Sequence, residues 1–143
     1  MAYPNYPNHN NRRWDSNPKP QLPEKDFPKD YVDFAENLMK YNSRKITTSK
    51  LRNILSMLME VYNTEMLRTE AVISPESAVK LQMARIRMAY ECGRDRNTKE
   101  FVESAYLLPW LKAIGDSREK AIHYIHYLEA IVAYHRFFGG REN

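Results

Sequence analysis

Several residue types are scarce in this chain of 143 residues, and each scarcity excludes a class of protein or site. The single cysteine, Cys92, rules out an intramolecular disulfide and any metal site built from several cysteines. Glycine occurs four times, and no glycine-rich loop of the kind that cradles nucleotide phosphates is present. No run approaches the roughly 18 consecutive apolar residues of a membrane-spanning helix, and the first residues lack the features of a signal peptide. We therefore expect a cytoplasmic protein without a membrane partner.

The hydrophobic content of 43% is sufficient for one core, and the length is that of a single domain. We predict one helical domain over residues 27–143. Residues 1–26 are rich in proline and asparagine and contain few aliphatic side chains, which predicts a flexible N-terminal tail. The aromatic residues of this tail, Tyr3, Tyr6 and Trp14, could contact RNA or a neighbouring subunit together with Arg12 and Arg13, but a plain disordered extension is the simpler interpretation.

Apolar residues recur every three or four positions after Phe27, which is typical of amphipathic helices. Starts are predicted near Pro28, Thr48, Ser74-Pro75 and Thr98. The side chains predicted to face the core are Tyr31, Phe34, Ala35 and Leu38 in the first helix, Leu51, Ile54, Leu55, Leu58 and Val61 in the second, Val79, Met83, Ile86 and Tyr90 in the third, and Phe101, Ala105 and Leu108 in the fourth. No segment alternates as a strand would, so we predict an all-α fold, a compact bundle of about five helices.

The C-terminal part contains further boundary signals. Pro109 predicts a kink or break, because proline cannot donate a hydrogen bond to the preceding turn. Gly115 predicts a turn, and Asp116 with Glu119 has the spacing of a capping box. The last helix is predicted over residues 117–138, ended by Gly139 and Gly140.

The net charge of +4 is concentrated in two short windows. Residues 44–52 contain four basic and no acidic residues, and residues 80–96 contain five basic and two acidic residues. On the third helix Lys80, Arg87 and Arg94 are seven residues apart, so their side chains share one side, about 10 Å apart along the axis. This basic stripe can follow a nucleic-acid backbone, although a solvated charged surface is an equally ordinary explanation.

The sequence contains no convincing catalytic or metal-binding motif. A Gly-x-Ser-x-Gly elbow is absent, and Cys92 is expected to serve in packing. His123, His126 and Glu129 spread over about 120 degrees and roughly 9 Å along the last helix, so we do not expect them to converge on one ion without other helices, even with His135 nearby. We expect no cofactor, no metal and no enzymatic activity, and we retain a histidine-rich metalloprotein only as a minor alternative.

Three segments together resemble a known family. They are Thr47-Thr-Ser-Lys-Leu-Arg52, Arg87-Met-Ala-Tyr-Glu-Cys-Gly-Arg94 and the terminal run from Tyr127 to Gly140, which includes Ala-Tyr-His-Arg-Phe-Phe-Gly-Gly. In this order they resemble the small subunit of type III-A CRISPR effector complexes, the Csm complexes that capture target RNA with a guide RNA. The resemblance extends over about residues 46–140, and the tail before residue 27 has no counterpart in it.

The resemblance implies a non-catalytic, sequence-independent RNA-binding subunit that lines the channel for the guide RNA–target RNA duplex and helps to monitor complementarity in antiviral defence. The implied partners are that duplex, the repeated backbone subunit, the large subunit and further copies of the chain. The family's basic positions fall on Arg52, Arg87 and Arg94. Other expected RNA contacts are Lys45, Lys50, Lys80, Arg85, Arg96 and Arg136, whereas Tyr134, His135, Phe137 and Phe138 are assigned to packing or subunit contact. The alternative is a helical protein–protein adaptor or dimeric bundle without nucleic-acid binding.

Overall fold

A computed structural model describes residues 26–140, and within that range the chain is entirely helical apart from its connections. The helices are α1 Tyr31–Asn42, α2 Thr48–Glu65, α3 Pro75–Arg94, α4 Arg96–Ser104, α5 Leu107–Ala113 and α6 Arg118–Phe137. An isolated antiparallel bridge joins Val72 to Ser117, and this range contains no strand. The all-α prediction is confirmed, with six helices where about five were expected. The predicted tail lies outside the described residues except for Asp26, and the single domain over residues 27–143 stays a prediction.

Four helices begin at a side-chain cap that accepts a hydrogen bond from a backbone amide of the first turn. The caps are Thr47 for α2, Ser74 for α3, Asp95 for α4 and Ser117 for α6. The predicted capping box of Asp116 and Glu119 is wrong, because Ser117 is the residue that caps α6. The first helix begins at Tyr31, three residues later than the prediction from Pro28.

The break between α4 and α5 lies at Tyr106 and not at Pro109. Tyr106 adopts a left-handed backbone conformation with φ 55°. Pro109 is the third residue of α5, where a backbone amide has no partner within the helix in any case. The proline is therefore accommodated in the first turn, and the direction change falls before it.

The core is organised around α6, which packs against α1 and α2. The Tyr127 ring lies among Phe27, Phe34 and Trp110, with ring centroids 5.4 to 6.0 Å from its own. Its hydroxyl donates to the Ala105 carbonyl at 2.9 Å, and the neighbouring Tyr124 hydroxyl donates to the Leu107 carbonyl at 2.7 Å. These two hydrogen bonds satisfy carbonyls at the α4–α5 corner and fasten that corner to α6.

The prediction for the buried face of α3 is wrong. Val79, Met83, Ile86 and Tyr90, which we name the apolar stripe, are 58% to 63% exposed. The buried positions are instead Ser77, Leu81, Ala84 and Met88. Both sets have helical spacing, and the buried set contains two small residues, Ser77 and Ala84, on the helix that packs against α2. The predicted core positions of α2 are buried apart from Leu55, which is half-buried.

A buried carboxylate fixes how α2 and α3 meet. The Glu65 side chain, at the end of α2, is completely buried. Its carboxylate accepts hydrogen bonds from the Ser77 hydroxyl at 2.7 Å, the Ser74 hydroxyl at 3.0 Å and the Arg68 guanidinium at 2.8 Å. Because this network joins Glu65 at the end of α2 to Ser74 and Ser77 at the start of α3, it sets the register of the α2–α3 hairpin. The exposed side chains of α3 are placed by that register.

Candidate nucleic-acid interface

The register of the α2–α3 hairpin sets the relative levels of two predicted RNA contacts, Arg52 on α2 and Arg87 on α3. Lys80 on α3 contacts Glu60 on α2 at 3.2 Å, and the helices run in opposite directions. Seven residues further along α3, Arg87 is therefore level with the residue seven positions before Glu60, next to Arg52. The structure thus joins the two basic windows of the sequence on one surface.

Three exposed guanidinium groups form what we call the basic face, namely those of Arg52, Arg87 and Arg94. Arg52 and Arg87 make no ion pair with any residue from 26 to 140. Arg94 is 62% exposed, lies 3.6 Å from a Glu91 oxygen and packs over the Tyr90 ring at 5.6 Å. Exposed pairs of this kind are weak, so the Arg94 charge remains accessible to a ligand.

Lys80 differs from the other members of the predicted basic stripe. Its ammonium group contacts Glu60 at 3.2 Å and Glu76 at 3.3 Å. Hydrogen bonds to these carboxylates raise the pKa of Lys80, with that to Glu60 contributing most. Two acids compensate its charge locally, so the stripe is most positive toward the C-terminal end of α3.

Three further predicted contacts lie where α2 begins and α4 begins. The Lys50 ammonium binds the Asp95 carboxylate and donates to the Thr98 hydroxyl at 3.1 Å. Lys45 and Arg96 both lie near Glu100, at 3.7 Å and 3.5 Å. Lys50 therefore links two helices, a role that its isolated position in the sequence did not indicate.

The Lys50–Asp95 pair leads to a prediction. Hydrogen bonding from Lys50 and then Thr98 lowers the pKa of Asp95 to about 2, from 3.8. Because the folded-state pKa is depressed, the stabilisation is present above about pH 4 and disappears as the pH falls toward 2. Lys50→Met should cost about 0.5–1 kcal/mol at pH 7, since the pair is partly exposed and screened. Urea unfolding of Lys50→Met, measured from pH 7 to 2, should show a smaller loss of stability on acidification than urea unfolding of the unaltered protein.

Arg52→Met is the matched control for this experiment, because it removes an exposed, unpaired charge from the same helix. We expect it to leave stability within about 0.5 kcal/mol at every pH. An equal loss of stability in both variants would contradict the assigned role of Lys50.

The remaining two predicted contacts lie away from the basic face. Arg85 is half-buried beside Lys112 and Gly115, around a cavity of about 50 Å³ between α3 and α5. Arg136 is exposed in the last turn of α6, a helix packed against α1 and α2. The structure does not join either residue to Arg52 and Arg87.

The histidines of α6 have separate surroundings. His123 is exposed, His126 Nε2 lies 3.4 Å from the Tyr62 hydroxyl, and His135 is buried. The Ile46 carbonyl, 2.8 Å from His135 Nε2, can only accept, so the imidazole donates. A Cβ on Gly140 would overlap the His135 ring, which accounts for glycine at that position. Among residues 26–140 no three potential ligands are grouped for a metal ion.

The residues at the end of α6 that were assigned to packing or subunit contact differ from one another in exposure. His135 is buried, Tyr134 and Phe138 pack partly against the core, and Phe137 is 74% exposed.

No helix in the described part of the chain is long and apolar enough to cross a membrane.

Fold and surface together define a small helical protein with an exposed basic face and an exposed apolar stripe beside it. The family model described as Csm2 Type III-A matches residues 25–141. The chain therefore belongs to the Csm2 family, the small subunit of type III-A CRISPR Csm complexes, and it is part of such a multisubunit complex. The resemblance drawn from the three sequence segments is confirmed.

Curated relatives agree with this assignment. The chain is 32% identical over 117 residues to the CRISPR system Cms protein Csm2 of Mycobacterium tuberculosis (strain CDC 1551 / Oshkosh), covering 79% of this chain and 94% of that protein. It is 34% identical over 118 residues to the protein of the same name from Streptococcus thermophilus, covering 78% and 93%. The Enterococcus italicus protein is 32% identical over 95 residues, covering 65% of this chain and 68% of its own length.

Proposed function

We propose that this subunit binds RNA without sequence preference and without catalysis. In this proposal it lines the channel that holds the guide RNA–target RNA duplex and helps to monitor complementarity in antiviral defence. The observation that carries the proposal is that two guanidinium groups, those of Arg52 and Arg87, are exposed and have no carboxylate partner among residues 26–140. Family membership supplies the context of a guide-bearing complex.

The chemistry of the basic face suits a phosphate backbone. A guanidinium group binds phosphate through two parallel hydrogen bonds, and Arg87 and Arg94 are separated by about 10 Å along α3. In A-form RNA the deep major groove hides the base edges, so protein side chains reach the backbone and the 2′-hydroxyls. Contacts of this type depend on charge and shape, which supports binding to unrelated sequences.

Two features support the absence of catalysis. Cys92 is half-buried, and desolvation raises the pKa of its thiol, which disfavours the nucleophilic thiolate. The two histidines most enclosed by the fold, His126 and His135, contact the Tyr62 hydroxyl and the Ile46 carbonyl, and neither forms an ion pair with a carboxylate of residues 26–140. Neither arrangement resembles a base poised beside a reacting group.

The apolar stripe supports the protein partners of the proposal. An exposed row of large apolar side chains on a soluble protein marks a contact surface. By helical geometry the row containing Arg87 and Arg94 lies roughly 60 degrees around α3 from the stripe. One helix can therefore present charge to RNA and apolar surface to the backbone subunit, the large subunit or a further copy.

The same stripe favours a second candidate, a helical adaptor that binds only protein. In that alternative the contact helix is α3 and not the aromatic last helix, because α6 is largely enclosed whereas Val79, Met83, Ile86 and Tyr90 are exposed. The RNA-binding candidate requires the arginines of the basic face for binding, whereas the adaptor does not.

Arg87→Ala combined with Arg94→Ala tests the RNA-binding proposal in the assembled complex. Binding should weaken about equally for unrelated target sequences, because phosphate contacts carry no sequence information. The slope of log affinity against log salt should fall by roughly 0.7–0.9 for each lost phosphate contact. Filter binding at several salt concentrations measures both quantities, and circular dichroism should remain unchanged because both side chains are exposed.

Lys112→Ala combined with Lys120→Ala is the matched control, because it removes the same charge from exposed positions away from the basic face. We expect this control to retain the salt slope of the unaltered complex. If the arginine variant binds RNA normally at every salt concentration, the basic face is only a solvated surface and the adaptor becomes the better explanation.

A further inference from the structure

A surface cleft between α1 and α4 is not used by the proposed RNA contacts. Its volume is about 550 Å³, within the range of roughly 300–1,000 Å³ that is typical of ligand pockets. Its walls include the side chains of Phe34, Tyr41, Lys45, Glu100, Glu103 and Tyr106. The cleft thus combines aromatic rings with carboxylates.

The charges of the cleft favour a cation and disfavour phosphate. Glu100 and Glu103 face it together with one ammonium group, that of Lys45. Their present partners are Arg96 and Lys45 for Glu100, at 3.5 Å and 3.7 Å, and Lys99 for Glu103, at 4.0 Å. Such exposed pairs contribute little, so an incoming guanidinium group can replace them. Tyr41, which is 72% exposed, offers a ring face against which an aromatic ring of a ligand can pack.

The start of the described chain is connected to this cleft through one aromatic ring, that of Trp110. The Phe27 ring lies 5.3 Å from Trp110, measured between centroids. Trp110 in turn contacts Phe34 at 5.5 Å and Tyr106 at 5.2 Å, and both of these residues line the cleft. The described chain therefore begins one aromatic side chain away from the residues that line the cleft.

The conformation of Tyr106 is a second unusual feature at this place. A positive φ is uncommon for a bulky side chain, and Tyr106 has φ 55°. This conformation turns the chain between α4 and α5 and directs the ring to the wall shared by Trp110 and the cleft. Unusual backbone of this kind is concentrated at binding surfaces.

We propose that Arg12-Arg13-Trp14 of the same chain docks in this cleft, with a guanidinium group on Glu100 and Glu103 and the indole against the tyrosine rings. Within residues 1–25, this is the place in the sequence where a basic residue directly adjoins an aromatic one. The 12 residues between Trp14 and Phe27 can span up to about 40 Å, so reach is not limiting. The proposal gives the N-terminal segment a binding site on the subunit itself.

Limited trypsin digestion of the full-length protein tests the docking, because trypsin cleaves after Arg12 and Arg13. Docking should protect these bonds, since cleavage follows the undocked population. Glu100→Gln combined with Glu103→Gln should accelerate cleavage after Arg13 by about two- to tenfold, the range expected for two partly exposed charge contacts. The products are identified by intact mass. Glu129→Gln combined with Asp116→Asn removes two exposed carboxylates elsewhere and should leave the rate unchanged.

Fluorescence provides a second measurement that does not depend on those variants. The chain contains two tryptophans, so Trp110→Phe leaves Trp14 as the single emitter. Docked Trp14 should emit at shorter wavelength, and be quenched less by acrylamide, than the same residue in a synthetic peptide of residues 8–20. Peptide-like emission together with equal cleavage rates in all proteins would overturn the proposal.

Dilution distinguishes this chain's own segment from that of a neighbouring copy. Protection within one chain should be unchanged over a hundredfold range of protein concentration. Protection that disappears on dilution would assign the cleft to the segment of another copy and would equally overturn the proposal. Neither outcome bears on RNA binding by Arg87 and Arg94, so the two proposals fail independently.

Discussion

Glu65→Ala should lower the free energy of unfolding by about 3–5 kcal/mol, which is a large part of the total for a domain of this size. The carboxylate is completely buried and accepts hydrogen bonds from Ser77, Ser74 and Arg68. Its removal leaves hydroxyl donors and a partly buried guanidinium group without their acceptor, and each unsatisfied group carries a desolvation cost. Urea denaturation at pH 7, followed by circular dichroism, measures the loss.

The pH dependence supplies a further check on the same variant. Burial raises the pKa of Glu65, but hydrogen bonds from Ser77, Arg68 and Ser74 together bring it below its ordinary value of 4.5. Because the pKa of Glu65 is lower in the folded state than in the unfolded state, its ionised carboxylate stabilises the fold at pH values above the unfolded pKa. This stabilisation is lost as the pH falls below about 4.5. The unaltered protein should therefore lose more stability between pH 6 and pH 3 than Glu65→Ala does.

Glu70→Ala is the matched control, because Glu70 is an exposed carboxylate that contacts the same arginine at 3.5 Å. We expect it to change stability far less than Glu65→Ala does, because the pair is exposed and screened by solvent. If Glu65→Ala costs no more than this control, the buried network does not hold the α2–α3 hairpin.

Tyr127→Ala should have a comparable effect, a loss of about 3–5 kcal/mol, because it empties the centre of the aromatic core. The ring contacts Phe27, Phe34 and Trp110, and the hydroxyl satisfies the Ala105 carbonyl. Tyr127→Phe keeps the ring and should cost only about 1–3 kcal/mol, the cost of leaving that carbonyl without its donor. Thermal unfolding of the three proteins measures both differences.

Tyr90→Ala provides the comparison that isolates burial, because the same substitution is made at a tyrosine that is 59% exposed. The sequence pattern assigned Tyr90 to the core and predicted a large loss there. The structure predicts a change of less than about 1 kcal/mol. Equal destabilisation by Tyr90→Ala and Tyr127→Ala would contradict the exposed position of the apolar stripe.

Much of the local structure could be predicted because its causes are local. A hydroxyl or carboxylate before a helix binds amides within the next three residues, which explains Ser74 with Pro75 and the start of α3. Gly115 and Gly139 have φ of 57° and 70°, conformations that glycine adopts without steric cost, so the turns they predicted are observed. The exceptions are displacements of a boundary by one to three residues: Ser117 in place of Asp116, Tyr106 in place of Pro109, and starts at Tyr31 and Arg96 in place of Pro28 and Thr98.

The candidate site was predictable in part for a similar reason. Helical geometry puts Arg87 and Arg94 on one side of α3 whatever surrounds the helix. Whether each basic residue is ion-paired depends on carboxylates far away in the chain, such as Asp95 for Lys50 and Glu60 for Lys80. Spacing along one helix contains no information about such partners.

By itself, the sequence determined the helical class, most helix ends, the family and the row of basic residues on α3, because these depend on neighbouring residues or on a recognisable order of motifs. Only the tertiary structure decided which face of α3 is buried. Two apolar rows compete there, and close packing against α2 selects the row with Ser77 and Ala84. The larger row of Val79, Met83, Ile86 and Tyr90 is thereby left exposed, because a helix can turn only one of its faces toward a given neighbour.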